Sequence, residues 1–198
     1  MDSSMTPAPV LSILTPAVPS RIFALNHLCK VLADQIRTGP VEHLILVDNK
    51  RRTVGEKRDA LLRSARGFYV AFVDDDDMVA PNYVQELLKA TREQPDVITF
   101  CQQAHVNGAS GTVEFKLGNP NEEFKANAVV KRNAWHVCAW MRTLAIQSHF
   151  PAINYGEDWA FAEPLCKLAK KEVHINEVLH YYRHATELSE ALPPERIL

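Results

Sequence analysis

Short apolar runs alternate along the first hundred residues with longer stretches in which apolar positions return every three or four residues. Residues 10–14 read as a strand. The next stretch, 21–36, places Ile22, Leu25, Leu28, Leu32 and Ile36 on one helical face. The alternation continues with a strand at 43–47, a helix at 56–65, a strand at 68–73, a helix at 82–92 and a strand at 96–100. Strands separated by helices pair in parallel, so this pattern predicts a mononucleotide-binding half of a doubly wound sheet.

After Cys101 the texture changes. Residues 102–106 and 111–117 flank the turn-forming Asn107-Gly108-Ala109-Ser110, which predicts a hairpin and an antiparallel sheet edge. From Asn133 the chain reads as helical again, with Trp135 and Trp140 as core candidates at helical spacing. Gly156 then turns into a further helix that reaches Leu168 despite Pro164, and two short strands at 172–175 and 178–183 close the pattern. The proline-bearing residues 1–9 suit a loose arm, leaving 10–198 as one domain with halves 10–101 and 102–198.

Composition agrees with one α/β domain: 198 residues, 46% hydrophobic and 23% charged, can bury a sizeable core. The net charge of -2 argues against a surface built throughout for nucleic acid, although Lys50-Arg51-Arg52 and Lys57-Arg58 form a local basic patch. The four cysteines are widely spaced and include no Cys-x-x-Cys pair, so neither a zinc ribbon nor a redox motif is indicated. With no leader-like N-terminus and no apolar run longer than a strand, a soluble cytoplasmic protein without a membrane span is expected.

The candidate chemistry begins at Asp74-Asp75-Asp76-Asp77, directly after the apolar run 68–73. Crowded carboxylates repel one another and are tolerated when solvated, used as a helix cap or neutralised by a cation. Their position at the carboxyl end of a strand is where open α/β sheets bind ligands. Thr15-Pro16 with Arg21 after the first strand, Asp48 after the second, and Gly55 with Lys57 and Arg58 at the following helix occupy the same edge. Carboxylates for base or ribose, helix amides and cations for phosphate, and acidic ligands for a divalent ion together suit a nucleotide diphosphate.

Val10-Leu-Ser-Ile-Leu-Thr-Pro16, Leu46-Val-Asp-Asn49, Gly55-Glu-Lys-Arg-Asp59 and Phe72-Val-Asp-Asp-Asp-Asp77, in this order, resemble the family-2 glycosyltransferases of the GT-A fold. The resemblance spans nearly the whole chain and implies that 10–101 is the nucleotide-sugar-binding half and 102–198 the acceptor-side half. It implies an α/β fold of GT-A type, with a Rossmann-like, mostly parallel sheet between helices and a small antiparallel edge. It further implies a nucleotide-sugar donor, a UDP-hexose, contacted by Thr15, Pro16, Arg21, Asp48, Gly55, Lys57, Arg58, Asp74 and Asp75. A divalent cofactor, Mn²⁺ or Mg²⁺, would be held by Asp76, Asp74 and His184, with His180 as competitor for the last place.

Gly156-Glu157-Asp158-Trp159 looks like the family's second acidic motif, in which Asp158 is the catalytic base and Glu157 organises the loop or meets the acceptor. His136 and Trp159 are acceptor-side candidates. An inverting transfer needs such a base opposite the departing nucleotide. Read alone, Glu157-Asp158 equally suits the first turn of a helix. Within the Asp run, alternation along an extended chain would turn Asp75 away from Asp74 and Asp76. The acceptor hydroxyl remains open among saccharide, lipid-linked, protein and modified DNA-base acceptors, and a nucleotide-sugar-binding accessory protein without turnover is the alternative.

Overall fold

The structure is a computed structural model that describes residues 8–184. The expected arm therefore lies outside the described residues for 1–7, as does the domain's end at 185–198. In chain order the elements are β1 (Leu11–Ala17), α1 (Ile22–Ile36), β2 (Val41–Val47), α2 (Val54–Ser64), β3 (Tyr69–Phe72) and β4 (Met78–Val79). There follow α3 (Tyr83–Ala90), β5 (Val97–Val106), β6 (Ala109–Phe115), β7 (Val129–Arg132), β8 (Ala139–Met141), α4 (Arg142–Ala145), α5 (Glu157–Leu168) and β9 (Glu172–His184).

The strands form one sheet in the order β2-β1-β3-β8-β5-β6-β7, with β9 alongside both β4 and β5. β1 pairs in parallel with β2 and β3, as the strand-helix alternation predicts. Alternate residues of these strands face opposite layers. Leu14 and Phe72 meet Leu61, Leu62, Phe161 and Leu165 from α2 and α5. Ile13 and Val73 meet Leu28, Leu32, Tyr83 and Leu87 from α1 and α3. Burial on both faces explains why β1 and β3 read as apolar runs rather than as alternations. Among the described residues, no helix is long and apolar enough to cross a membrane.

Three local features fix the edge that carries the candidate chemistry. Thr53 and Glu56 close a capping box at the start of α2, each side chain binding the other's backbone amide, at 3.2 and 2.7 Å. Such a cap is worth about 1 kcal/mol. Gly55 is required because a Cβ there would overlap the Pro151 carbonyl oxygen, while its amide donates to Ile153 at 3.1 Å. The hairpin between β5 and β6 turns on Asn107 and Gly108, both at positive φ (48° and 84°), the backbone of a two-residue hairpin loop.

Two expectations are corrected. The helix read from Asn133 is absent: residues 133–138 form a turn, and β8 inserts antiparallel between β3 and β5. Its Trp140 and Ala139 are wholly buried on opposite faces, so this apolar run has no period by which to tell strand from helix. The two closing strands are one, β9, interrupted by a bulge where Cys101 of β5 faces residues 176–179. The separate strands expected at 96–100 and 102–106 likewise join as β5.

Candidate functional site

The chain turns as soon as it leaves β3, with the Asp77 amide donating to the Asp74 carbonyl at 3.1 Å. The four aspartates therefore fan out instead of alternating. This corrects the orientation expected for Asp75. It is wholly buried, accepts the Val18 amide at 2.9 Å and meets the Arg21 guanidinium at 2.5 Å. Arg21 also reaches Asp76 at 2.8 Å, so this arginine, expected on the nucleotide, lies on the carboxylates. Burial raises the Asp76 carboxyl to about 6, with Arg21 opposing and Asp74 and Asp75 reinforcing. Asp77 is buried beside His180, whose Nε2 stands 3.5 Å from its carboxylate. Burial pushes Asp77 well up, helped by Asp74 and Asp76, and pushes His180 down to about 4.

Asp74 faces the other way, onto Arg58. Nη2 of Arg58 lies 2.9 and 2.6 Å from the two Asp74 oxygens, and Nη1 donates to Glu157 at 2.7 Å. Burial would raise the Asp74 carboxyl, but Arg58, with Arg21, holds it below the usual range. Arg58 is 4% exposed, over an aromatic bed in which Phe150 stacks on Phe161 at 4.1 Å and meets Phe72 edge-on. It thus joins the first acidic motif to the second, whose Glu157 lies 99 residues beyond Arg58 in the chain. Both Arg58 and Glu157 are engaged in this buried link. The expected donor contact for Arg58 and the catalytic place given to Glu157 become a joint anchoring role.

Asp158, one residue on, is left facing outward with its side chain 28% exposed. It accepts the Trp135 indole N–H at 3.1 Å and its neighbour's amide, that of Trp159, at 2.8 Å. Burial would raise its carboxyl, but Arg58 and these two donors hold it below the ordinary aspartate value. His136 lies 3.8 Å from Asp158, buried against Phe72, and burial with Arg58 nearby lowers it to about 3. Its imidazole is neutral at ordinary pH and is built into the wall, not offered to an acceptor. Trp159 is 41% exposed and leans on Trp135 at 5.5 Å between ring centroids, leaving an aromatic surface beside Asp158.

On the nucleotide side the expected residues gather at the carboxyl edge of β1 and β2. Asp48 accepts the Arg51 and Arg52 amides on one oxygen, at 2.6 and 3.1 Å. These bonds, the one from Arg52 foremost, hold its carboxyl low. Lys57 is wholly buried with Nζ 3.5 Å from the Ala17 carbonyl, and Thr15 is buried against His43 at 2.9 Å, with Pro16 buried next to it. Gly55 lies behind this edge, spent on the 151–153 backbone. Thr15 and Gly55 therefore shape the edge, whereas Asp48 presents a free side to it.

Sequence reasoning missed Trp135 as a partner of Asp158, because it sits in the turn misread as a helix. It also missed Tyr182. Burial raises this phenol, and Asp77, Asp74, Asp76 and Asp158 raise it further, which places Tyr182 on the carboxylate face of β9. His184 stacks against Tyr182 at 6.2 Å and so belongs to the same face, while His180 sits deeper, under Asp77. The segment that follows His184, to Ser189, lies outside the described residues.

Among the described residues no three His, Cys, Asp or Glu side chains converge as a ready cation cage. Mg²⁺, however, is commonly held by one or two carboxylates while substrate phosphates and water complete the shell. Asp76 and Asp74 fit that pattern: both are hard oxygen donors with side chains 35% and 25% exposed. Burial is the main cause of the raised Asp76 carboxyl, and Asp74 and Asp75 add to it, a crowding of negative charge that a cation would offset.

A family model described as glycosyl transferase family 2 matches residues 29–150, more than half of the chain, and the protein belongs to that family. Its fold is of the GT-A type. S. aureus TarS 1–349, determined in complex with UDP-GlcNAc, superposes with a TM-score of 0.63 at 16% identity, covering 88% of this chain and 58% of that one. The mannosyltransferase PcManGT from Pyrobaculum calidifontis, in complex with GDP-Man and Mn²⁺, gives 0.55 at 13% identity over 96% of this chain and 59% of that one. In sequence, the glycosyltransferase GlyA of Streptococcus pneumoniae is 24% identical over 176 residues, 81% of this chain. EpsH of Bacillus subtilis is 22% identical over 152 residues, 70% of this chain. The chain spans 44% of EpsH and 24% of GlyA, less than half the length of either relative.

Proposed function

We propose that this protein is a metal-dependent, inverting glycosyltransferase that moves a hexose from a UDP-sugar to an acceptor hydroxyl. The observation that supports this most is the Arg58 bridge, which brings Asp158 to the face of the domain where Asp74 and Asp76 end. Asp158 is ionised, partly exposed and oriented by two N–H donors, as a general base must be. In this reading it takes the acceptor's proton as the hydroxyl oxygen attacks the anomeric carbon. Asp48 accepts hydrogen bonds from the base or ribose of the donor, and Asp76 with Asp74 holds the divalent ion. When bound there, Mn²⁺ or Mg²⁺ supplies charge neutralisation for the departing diphosphate. Trp159 offers its ring to the acceptor. The uridine donor is supported by the UDP-GlcNAc complex of TarS, and the metal by the Mn²⁺ complex of PcManGT.

Thermal shift with UDP- and GDP-sugars, each with and without Mn²⁺, tests the donor half; Mn²⁺-dependent stabilisation by uridine compounds is expected. Turnover of the donor then tests the roles. Asp158→Asn should lower it by about 10²- to 10⁴-fold with nucleotide binding intact, and Asp76→Ala should lose Mn²⁺-dependent binding. Unchanged turnover in both variants overturns the assignment.

A further inference from the structure

Arg21 ends the short turn Pro19–Arg21 at the carboxyl edge of β1, and its guanidinium is shared between two carboxylates. Nη2 meets Asp75 at 2.5 Å and Nη1 meets Asp76 at 2.8 Å. The two are not equivalent partners. Asp75 is buried and has a second anchor in the Val18 amide, whereas Asp76 is the more exposed and is the carboxylate assigned to the cation. A guanidinium and a divalent ion drawn to the same carboxylate oxygen repel each other, because both are cations desolvated at one place.

We infer that Arg21 is a built-in competitor of the divalent cation, holding the Asp76 carboxylate in the nucleotide-free protein and giving it up when the cation binds. The inference rests on the reading of Asp76 as a cation ligand. Its consequence is that the free protein binds Mn²⁺ more weakly than its carboxylates alone would allow. Arg21 keeps its hold on Asp75 throughout, so the loop stays ordered while Asp76 changes partner.

The test is isothermal titration of Mn²⁺ into the full chain without nucleotide, comparing wild type with Arg21→Ala, Arg21→Lys, Asp76→Ala and Arg37→Ala. Arg37 is an exposed arginine paired with Asp34, far along α1, and controls for the loss of one positive charge. Removing a charge-assisted competitor should tighten Mn²⁺ binding about tenfold or more in Arg21→Ala. Arg21→Lys, with one point charge and no fork, should fall between that and wild type, while Arg37→Ala matches wild type and Asp76→Ala abolishes binding. Equal or weaker binding in Arg21→Ala, or equal tightening in Arg37→Ala, overturns the inference. If wild type binds and Asp76→Ala does not, the cation reading stands even so. No binding in any variant overturns both.

Discussion

Two acidic segments meet in this domain, and they handle adjacent carboxylates in opposite ways. After β3 every aspartate of the run has an internal partner: Arg58 for Asp74, Val18 and Arg21 for Asp75, Arg21 for Asp76, and the neighbourhood of His180 and the Arg183 amide for Asp77. At the start of α5 the work is divided. Glu157 is buried on Arg58, and Asp158 looks out, held by N–H donors instead of by an arginine. A carboxylate paired with a guanidinium has its charge offset and its position fixed, while one hydrogen-bonded by neutral N–H donors is oriented without a counter-charge in contact and can accept a proton. The two neighbours in sequence are thus separated into anchor and reagent by which way the first turn of a helix points them.

The largest expected effect on this division comes from Arg58→Met. Removing a buried cation leaves Asp74 and Glu157 without their counter-charge, a loss of about 3–5 kcal/mol for a broken buried pair. Chemical denaturation should show it as a lower midpoint. A small effect would mean that the two segments do not depend on one another. Next in size is Trp135→Phe, which keeps the ring against Trp159 but deletes the donor to Asp158. We expect turnover to fall by roughly tenfold, the worth of one hydrogen bond to a charged group, with the acid limb of the pH profile moving to higher pH. An unchanged profile would show that the Trp159 amide alone orients Asp158.

The smallest effect separates the scaffold from both segments. Burial lowers His43, on the far edge at β2, to about 4. Its folded value thus lies below the unfolded value near 6.5, so the unfolded chain takes up the proton first. Stability should fall as pH drops from 6.5 toward 4, by up to about 1.4 kcal/mol per pH unit for this one group, and be unaffected above 6.5. In His43→Gln the difference between urea midpoints at pH 7.5 and pH 5 should shrink. If it does not, acid sensitivity belongs to the acidic segments and not to the sheet.

The first hundred residues were legible because their periods differ: β1, β2 and β3 are short apolar runs, and α1 shows a single apolar stripe. β8 was not, since three residues buried on both faces have no period, and β7 is only four residues long. The acidic motifs and the outward Asp158 were legible as residue types in order. What each charge touches was not: Arg21, Arg58 and Lys57 read as nucleotide-sugar contacts, yet Arg58 lies on two carboxylates, Arg21 on two others and Lys57 is buried at the Ala17 carbonyl. Sequence conveys the sign of a charge but not whether the fold places its counter-charge within reach. Trp135 illustrates the same gap, because the turn that aims its indole at Asp158 is closed by the Cys138 amide on the Trp135 carbonyl, at 3.1 Å, and not by any pattern in the chain.

The bulge in β9 sets the parity of the site. Between the pairs Phe100–Ile175 and Gln102–His180, one residue of β5 faces four of β9, a surplus of three. An odd surplus exchanges the faces of one strand relative to its partner, and here β5 changes, with Phe100 packed on the α1 and α3 side and Ala104 on the α2 and α5 side. β9 keeps its own alternation, with Ile175 and Leu179 on one face and Tyr182 on the other, so Gln102 of β5 comes to share a face with His180, at 2.9 Å. Within residues 176–179, deleting or adding a single residue would therefore invert the wall of the site while leaving every wall residue in the chain, whereas a two-residue change would preserve it.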